Sequence, residues 1–170
     1  GLPNIPSMVE AVGALTTEKA IRLFEKFHIF TEPELRSRAE ILYETYAKTI
    51  NIEALTMLDM ANKQIIPSVT NFAKSLAETT LKVKEACGDA TVPAELLKAV
   101  TEKLTETKRA AEKLLAEEAQ ASAMPRGREQ AFCYHDRVVT AMNELRRPAD
   151  ELEKMVDKTY WPFPTYADLI

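Results

Sequence analysis

Residues 31–87 read TEPELRSRAEILYETYAKTINIEALTMLDMANKQIIPSVTNFAKSLAETTLKVKEAC, and this stretch decides the fold. Its apolar residues recur at steps of three and four, which is the spacing of one face of an α-helix. Thr31 and Glu34 have the spacing of a capping box, and Gly88 follows as a C′ residue. The pattern predicts a helix over residues 31–87. Pro67 lies inside it, and we expect a kink there because proline removes a backbone hydrogen bond.

Two short helices are predicted in the lead-in, residues 1–30. Ser7 and Glu10 form a capping box for the first of them. Thr17 caps the second, which we expect to reach about residue 28. One side of this second helix should carry Ile21, Phe24 and Phe27.

Two more long helices are predicted after residue 88. Pro93 opens one over residues 93–123, and the other covers residues 128–158, where Pro148 should interrupt and bend it. The last helix has a nearly strict heptad stripe of Ala131, His135, Val138, Met142, Leu145, Ala149, Leu152 and Val156. Short connections between long amphipathic helices favour antiparallel neighbours. The sequence therefore predicts an all-α fold, an elongated antiparallel three-helix bundle with Pro-kinked helices.

The composition of the 170 residues is that of an ordinary globular protein. Hydrophobic residues make up 46% and charged residues 28%, which allows one domain with a sizeable core. Only four glycines occur, which argues against a Gly-rich phosphate loop and against a turn-rich β fold. The net charge is −4 with both signs interspersed, and no apolar run approaches the roughly 18 residues of a membrane span. We therefore expect no nucleic-acid partner and no membrane partner.

The two cysteines, Cys87 and Cys133, do not suggest a disulfide framework. They favour a reducing compartment, and no signal peptide is visible, so we expect a cytoplasmic protein. The chain begins with Gly1 rather than methionine, which indicates a fragment or a processed chain.

The end of the chain, residues 159–170, is apolar and contains two alternating prolines. Pro162 and Pro164 exclude a helix and a central strand there. Because its aromatic side chains need cover, we expect an extended tail that docks on the bundle. The predicted docking residues of the tail are Tyr160, Trp161, Phe163 and Tyr166.

A second apolar surface is predicted on the first half of the long helix, residues 31–52. This half should overhang the bundle, and it carries more apolar side chains than a three-helix bundle needs. We expect it to contact a partner. The interface residues predicted there are Leu35, Leu42, Tyr43 and Tyr46.

Candidates for catalysis or metal binding are few. Cys133 and His135 are two residues apart, a spacing that places their side chains on different faces of a helix, so they make a poor metal-binding pair. The simpler interpretation of His135 is a core histidine that is hydrogen-bonded to a neighbour. Four polar residues lie within the apolar run 50–66: Asn51, Glu53, Asp59 and Asn62. They form either a small acidic site or, as we favour, hydrogen bonds across the bundle or to a partner domain. We predict no catalytic, cofactor-binding or metal-binding residue in this chain.

Three segments together resemble the C-terminal region of type III glutamine synthetases. The segments are YAKTINIEALTMLDMANKQIIP at residues 46–67, MNELR at 142–146 with DELE at 150–153, and VDKTYWPFPTYADL at 156–169. The first and last of these are long and unusual in composition, and the similarity covers nearly the whole chain.

The resemblance implies a parent protein that joins ammonia to glutamate, using ATP and a divalent metal, in a large cytoplasmic homo-oligomer of stacked rings. It also implies that the catalytic motifs lie in an upstream domain, and that this chain is a non-catalytic helical domain. The partners implied are the upstream catalytic domain of the same polypeptide, sister subunits, or a regulator.

Two other functions remain open at this point. A stand-alone helical-bundle adaptor would bind partner helices through the Leu35–Tyr46 face. A metal-dependent helical-bundle enzyme would use Glu53, Asp59 and His135.

Overall fold

The structure, a computed structural model, describes residues 4–164 of the chain. The helices are α1 (Met8–Leu15), α2 (Glu18–Lys26), α3 (Glu32–Met60), α4 (Ile66–Cys87), α5 (Thr91–Ser122), α6 (Arg128–Cys133) and α7 (Val139–Met155). Two π-helical turns, Ala61–Ile65 and Tyr134–Val138, precede α4 and α7 respectively. Residues 4–164 contain no β-strand, so the predicted all-α class is confirmed. In the same part of the chain, no helix combines the length and the apolar character that crossing a membrane requires.

The helix starts follow the predicted capping residues. The hydroxyl oxygen of Ser7 accepts the backbone N–H of Glu10 at 3.3 Å, and Thr17 caps α2 in the same way. At the start of α3, the backbone N–H of Thr31 donates to the Glu34 carboxylate at 2.7 Å, and the Thr31 hydroxyl donates to it at 2.8 Å. These two hydrogen bonds hold the pKa of the Glu34 carboxyl below its usual value.

Helix α2 ends in a Schellman motif that has histidine where glycine is usual. The N–H of His28 donates to the carbonyl of Glu25 at 3.0 Å, and the N–H of Ile29 donates to the carbonyl of Phe24 at 2.9 Å. This pattern requires a left-handed residue, and His28 has φ 56°. The backbone N–H of His28, rather than its side chain, therefore caps the helix.

A π turn divides the helix that was predicted over residues 31–87. The N–H of Ile66 donates to the carbonyl of Ala61, five residues back instead of four. Ile66 begins a new α-helical segment, and Pro67 falls in its first turn, where the missing N–H costs least. The kink expected at this proline stays a prediction. At the other end, Gly88 adopts φ 77° and ends α4, as predicted.

The last predicted helix, residues 128–158, is also divided by a π turn and ends earlier, at Met155. Helix α7 continues through Pro148, whose side chain is buried. The expectation that this proline interrupts the helix was therefore wrong, and the bend stays a prediction. Helix α5 begins at Thr91, two residues before Pro93, because the Asp89 carboxylate accepts the Thr91 N–H at 3.0 Å.

The chain divides into two compact units, each with its own apolar core. The first unit comprises Gly1–Ala54 and Ala116–Thr140, and the second comprises Leu55–Leu115 and Ala141–Ile170. The core of the first unit is formed by Val9, Val12, Ala39, Tyr43 and Ala131, with Leu42, Tyr46 and Phe132 packed against it. The core of the second unit is formed by Ile65, Val69, Phe72, Val100, Leu152 and Val156. The elongated three-helix bundle stays a prediction.

Replacing His28 with glycine should stabilise the fold, because glycine adopts the left-handed conformation without a Cβ clash. We expect His28→Gly to raise the free energy of unfolding by about 0.5–1 kcal/mol, after the larger chain entropy of glycine in the unfolded state is counted. The matched control, His28→Ala, removes the same imidazole but keeps the Cβ. Urea denaturation followed by circular dichroism measures both, and equal midpoints for the two variants would contradict the assignment of strain to this residue.

Candidate functional site

The aromatic end of the chain is held by a tight turn after α7. The Asp157 carboxylate accepts the backbone N–H of Thr159 at 2.8 Å and its hydroxyl at 2.5 Å. The backbone N–H groups of Tyr160 and Trp161 donate to the carbonyl of Asp157 at 2.9 and 3.1 Å. The hydroxyl of Thr159, followed by its N–H, holds the pKa of the Asp157 carboxyl below its usual value. The turn is therefore stabilised by an ionised carboxylate.

Three aromatic side chains of this end pack against the core of the second unit. The Tyr160 ring lies 5.5 Å from the Phe72 ring, centroid to centroid, and the Trp161 and Phe163 rings lie 6.2 Å apart in a T-shaped arrangement. All three side chains are half-buried, so each keeps apolar surface exposed. Tyr166 lies outside the described residues. The role of these aromatic residues in an interface stays a prediction.

An apolar cavity of about 310 Å³ lies beside these rings in the second unit. It is lined by Met57, Met60, Ala61, Ile65, Leu145, Ala149, Trp161, Phe163 and Pro164. Arg146, Asp150 and Glu153 also line it, and the Arg146 guanidinium lies 3.3 Å from the Asp150 carboxylate. The aromatic end and the first π turn thus both contribute to the lining of this cavity.

Ion pairs link α5 to α7 at the surface of the second unit. Lys103 lies 2.8 Å from both Glu106 and Glu151, and Lys113 lies 2.6 Å from Glu144. The hydrogen bonds to Glu106 and Glu151 raise the pKa of Lys103 above its usual range, and Lys103 in turn lowers the pKa of Glu151. Because these groups are solvent-accessible, their contribution to stability is small per pair.

The second predicted interface, on the first half of α3, is largely internal. Leu35 is 1% exposed and Tyr43 is 5% exposed, so neither can meet a partner. Within the first unit, α1 and the region around Ala131 cover this face, and the overhang of residues 31–52 stays a prediction. Leu42 and Tyr46 are half-buried and pack against the same core.

Tyr46 and His135 form a partly buried aromatic pair in the first unit. Their rings lie 6.4 Å apart, and Nδ1 of His135 lies 2.7 Å from the Asp136 carboxylate. Burial, followed by the charges of Glu53 and Asp136, raises the pKa of the Tyr46 hydroxyl. His135 is therefore bonded to a neighbour, as predicted, but it is half-buried rather than fully internal.

A smaller polar cavity of about 190 Å³ lies in the first unit. It is lined by Glu44, Ala47, Lys48, Asn51, Ser122, Arg126, Gln130 and Tyr134. The Gln130 side chain is buried and donates to the carbonyls of Ala121 and Met124 at 3.1 and 3.3 Å. This amide ties the turn after α5 to α6, which gives it a structural role.

The polar residues within the apolar run 50–66 bond mostly within their own helical segment. Asp59 pairs with Lys63, and the Asn62 amide donates to the carbonyl of Leu58 at 2.9 Å. The expectation of hydrogen bonds across the bundle was therefore wrong for Asp59 and Asn62. A helical residue reaches the carbonyl four positions back more easily than a neighbouring helix.

Metal-ligand geometry is absent from residues 4–164: no three His, Cys, Asp or Glu side chains there lie close enough to hold one ion. The trio Glu53, Asp59 and His135, predicted for the metal-dependent enzyme, is therefore not assembled. Cys87 and Cys133 are free thiols.

Sequence reasoning missed one apolar surface, at the end of α2. Ile21, Phe24 and Phe27 were expected on one side of the helix; Ile21 is buried, Phe24 is half-buried and Phe27 is exposed. The sequence carries no signal for this difference, because all three residues belong to the one apolar side of an amphipathic helix.

Comparison with known proteins gives a consistent family. Residues 1–84 match the glutamine synthetase C-terminal domain family. The chain is 33% identical over 172 residues to the glutamine synthetase of Butyrivibrio fibrisolvens and 31% identical over 176 residues to the type-3 glutamine synthetase of Dictyostelium discoideum. It is 26% identical over 176 residues to the glutamine synthetase of Bacteroides fragilis.

Each of these alignments covers 100% of this chain, and they cover 25%, 24% and 24% of the three relatives in the same order. The chain thus spans about a quarter of the length of the curated relatives it matches. The fold and the similarities define a helical domain of a larger enzyme family. The chain belongs to the glutamine synthetase family and corresponds to its C-terminal domain.

The contact between Tyr160 and Phe72 should be energetically coupled. A double-mutant cycle with Tyr160→Leu and Phe72→Leu should give a coupling free energy of about 0.5–1.5 kcal/mol, the range for aromatic pairs. The control cycle pairs Phe72→Leu with Leu81→Ala, whose side chain is exposed on the same helix. Urea denaturation measures each variant, and a coupling no larger than that of the control would show that the aromatic end does not pack on Phe72.

The turn at Asp157 predicts a specific dependence of stability on pH. Because the folded-state pKa of Asp157 is lowered, its contribution is fully present above the unfolded-state pKa of about 4 and is lost as the pH falls through the lower folded-state pKa. Asp157→Asn should therefore be less stable than the unmodified chain at pH 7, and the difference should shrink as the pH falls below about 4. Thermal unfolding between pH 3 and 7 measures this difference in stability. Thr159→Ala removes the hydroxyl that donates to the Asp157 carboxylate, so it should also reduce the pH dependence of stability. If the stabilities of the unmodified chain and of Asp157→Asn change with pH in parallel, the Asp157 carboxylate does not stabilise the turn.

Proposed function

We propose that the parent polypeptide is a glutamine synthetase that ligates ammonia to glutamate with ATP and a divalent metal, and that this chain is its non-catalytic helical domain. The observation that carries the proposal is the match of residues 1–84 to the glutamine synthetase C-terminal domain, together with similarity to three glutamine synthetases along the whole chain. Those relatives are about four times longer than this chain, which leaves room for a separate catalytic part.

The use of the polar side chains supports a non-catalytic role. Two of the four polar residues of the apolar run make local bonds, Asp59 with Lys63 and Asn62 with a backbone carbonyl. Arg146 is paired with Asp150 four residues later. ATP and metal would then be bound by the catalytic part, and this domain would supply no ligand to either.

The half-buried aromatic residues support a role in packing and assembly. Tyr160, Trp161 and Phe163 cover part of the second unit's core but keep apolar surface exposed beside the apolar cavity. Apolar surface of this kind is stabilised when a second surface covers it. The partners proposed are the catalytic part of the same polypeptide and sister subunits of a cytoplasmic homo-oligomer.

The alternative function, a stand-alone adaptor, would need an exposed Leu35–Tyr46 face to bind partner helices. Leu35 and Tyr43, the centre of that face, are buried inside the first unit.

The proposal is tested by comparing three proteins. The full-length enzyme should form glutamine from glutamate, ammonia and ATP, and this chain alone should not. A full-length variant lacking residues 160–170 should lose activity together with its assembled state, because the apolar cavity and the core beneath it lose their cover. A glutamine-formation assay and analytical ultracentrifugation measure the two effects.

The matched control is full-length enzyme with Leu81→Ala and Val92→Ala, two exposed side chains of the second unit. It should keep both activity and assembly. An unchanged oligomer with unchanged activity after removal of residues 160–170 would refute the packing role, and glutamine formation by this chain alone would refute the non-catalytic role.

A further inference from the structure

Three large apolar side chains within seven residues of each other are exposed at the end of α2. Leu23 is 53% exposed, Phe27 is 60% exposed and Ile29 is 56% exposed. Leu23 and Phe27 are four residues apart and therefore lie on the same side of the helix. We call these three residues the α2 patch.

The backbone fixes the α2 patch in place. The left-handed residue His28 and the two hydrogen bonds of the Schellman motif set the direction of the chain between Phe27 and Ile29. The Glu25 carboxylate accepts the backbone N–H of Glu32 at 3.3 Å, which links the end of α2 to the start of α3. The patch is therefore a defined surface, held by the backbone bonds of the Schellman motif and by the bond from the Glu32 N–H to the Glu25 carboxylate.

A concave surface adjoins the patch. A depression of about 400 Å³ is lined by Glu25, His28, Ile29, Phe30, Thr31 and Glu34. The Phe30 ring in its wall packs 5.7 Å from the Phe24 ring, and the Arg38 guanidinium lies 4.3 Å from the Phe30 ring centroid. Aromatic and aliphatic side chains thus project beside a depression that has charged groups at its edge. This combination is typical of a protein interface.

We infer that the α2 patch docks on the catalytic part of the glutamine synthetase polypeptide. The relatives carry this whole domain within a polypeptide about four times as long, so the rest of the enzyme is covalently present as an occupant at high effective concentration. The interface expected on α3 is covered at Leu35 and Tyr43, whereas each residue of the α2 patch is more than half exposed. This inference rests on the proposed function and adds the surface through which it acts.

The test uses the full-length enzyme with Phe27→Glu and Ile29→Glu. Two carboxylates in the interface would have to be desolvated without partners, so docking of this domain on the catalytic part should weaken at least about tenfold, and the thermal midpoint of the enzyme should fall. The control is Leu81→Glu with Val92→Glu, which adds the same charge at sites 70% and 77% exposed and should assemble normally. A second variant, Leu23→Glu with Phe27→Glu, leaves Ile29 and the Schellman motif intact in case the first variant misfolds.

The outcomes separate this inference from the proposed function. If removal of residues 160–170 disrupts the enzyme but both α2-patch variants keep the assembly, thermal midpoint and activity of the unmodified enzyme, the inference is overturned and the proposed function stands. If this chain alone forms a concentration-dependent dimer that Phe27→Glu with Ile29→Glu abolishes, the occupant is a second copy, and the inference is likewise overturned. A fall in the thermal midpoint of both α2-patch variants, with a normal control, supports it.

Discussion

A helix as long as α3, 29 residues, is stable in water only while its apolar face is covered. Within the first unit, that cover comes from the short helix α1 and from the region of Ala131, which together enclose Ala39 and Tyr43. Within the second unit, the apolar face of α4 is covered by Val100 and by Leu152. Every other feature of the two units, including the ion pairs at their surfaces, depends on this burial. The surface pairs contribute little by themselves because their charges remain hydrated.

The features that the sequence predicts well are those with local causes. The capping residues Ser7 and Thr31 and the left-handed Gly88 act on backbone groups within a few positions, so spacing alone identifies them. The π turns have no comparable signal, because one additional residue in a helical turn changes neither composition nor periodicity enough to be read. The turn at Ala61–Ile65 nevertheless explains how Pro67 is accommodated, since it restarts the helix just before the proline.

The candidate site was only partly predictable for the same physical reason. The surplus of apolar residues on α3 was visible in the sequence, but their cover comes from residues far along the chain, such as Ala131 against Tyr43. Periodicity identifies an apolar face and is silent about what will lie on it. At α2, likewise, periodicity does not show which of the apolar residues are covered. There Phe27 follows the helical pattern of the buried Ile21, yet the helix ends at that point and the chain turns away through His28.

The geometry at His28 bears on how the domain would attach to its enzyme. A left-handed histidine carries strain that a glycine would avoid, but it fixes the backbone on either side of Phe27 and Ile29. A surface that is already ordered loses little conformational entropy when it docks, so a larger share of its burial appears as affinity. The aromatic end after Asp157 differs in kind, because its half-buried rings already use part of their apolar surface within the second unit. Each residue of the ordered α2 patch keeps more than half of its surface exposed for a partner, which makes the patch the stronger of the two candidates for docking.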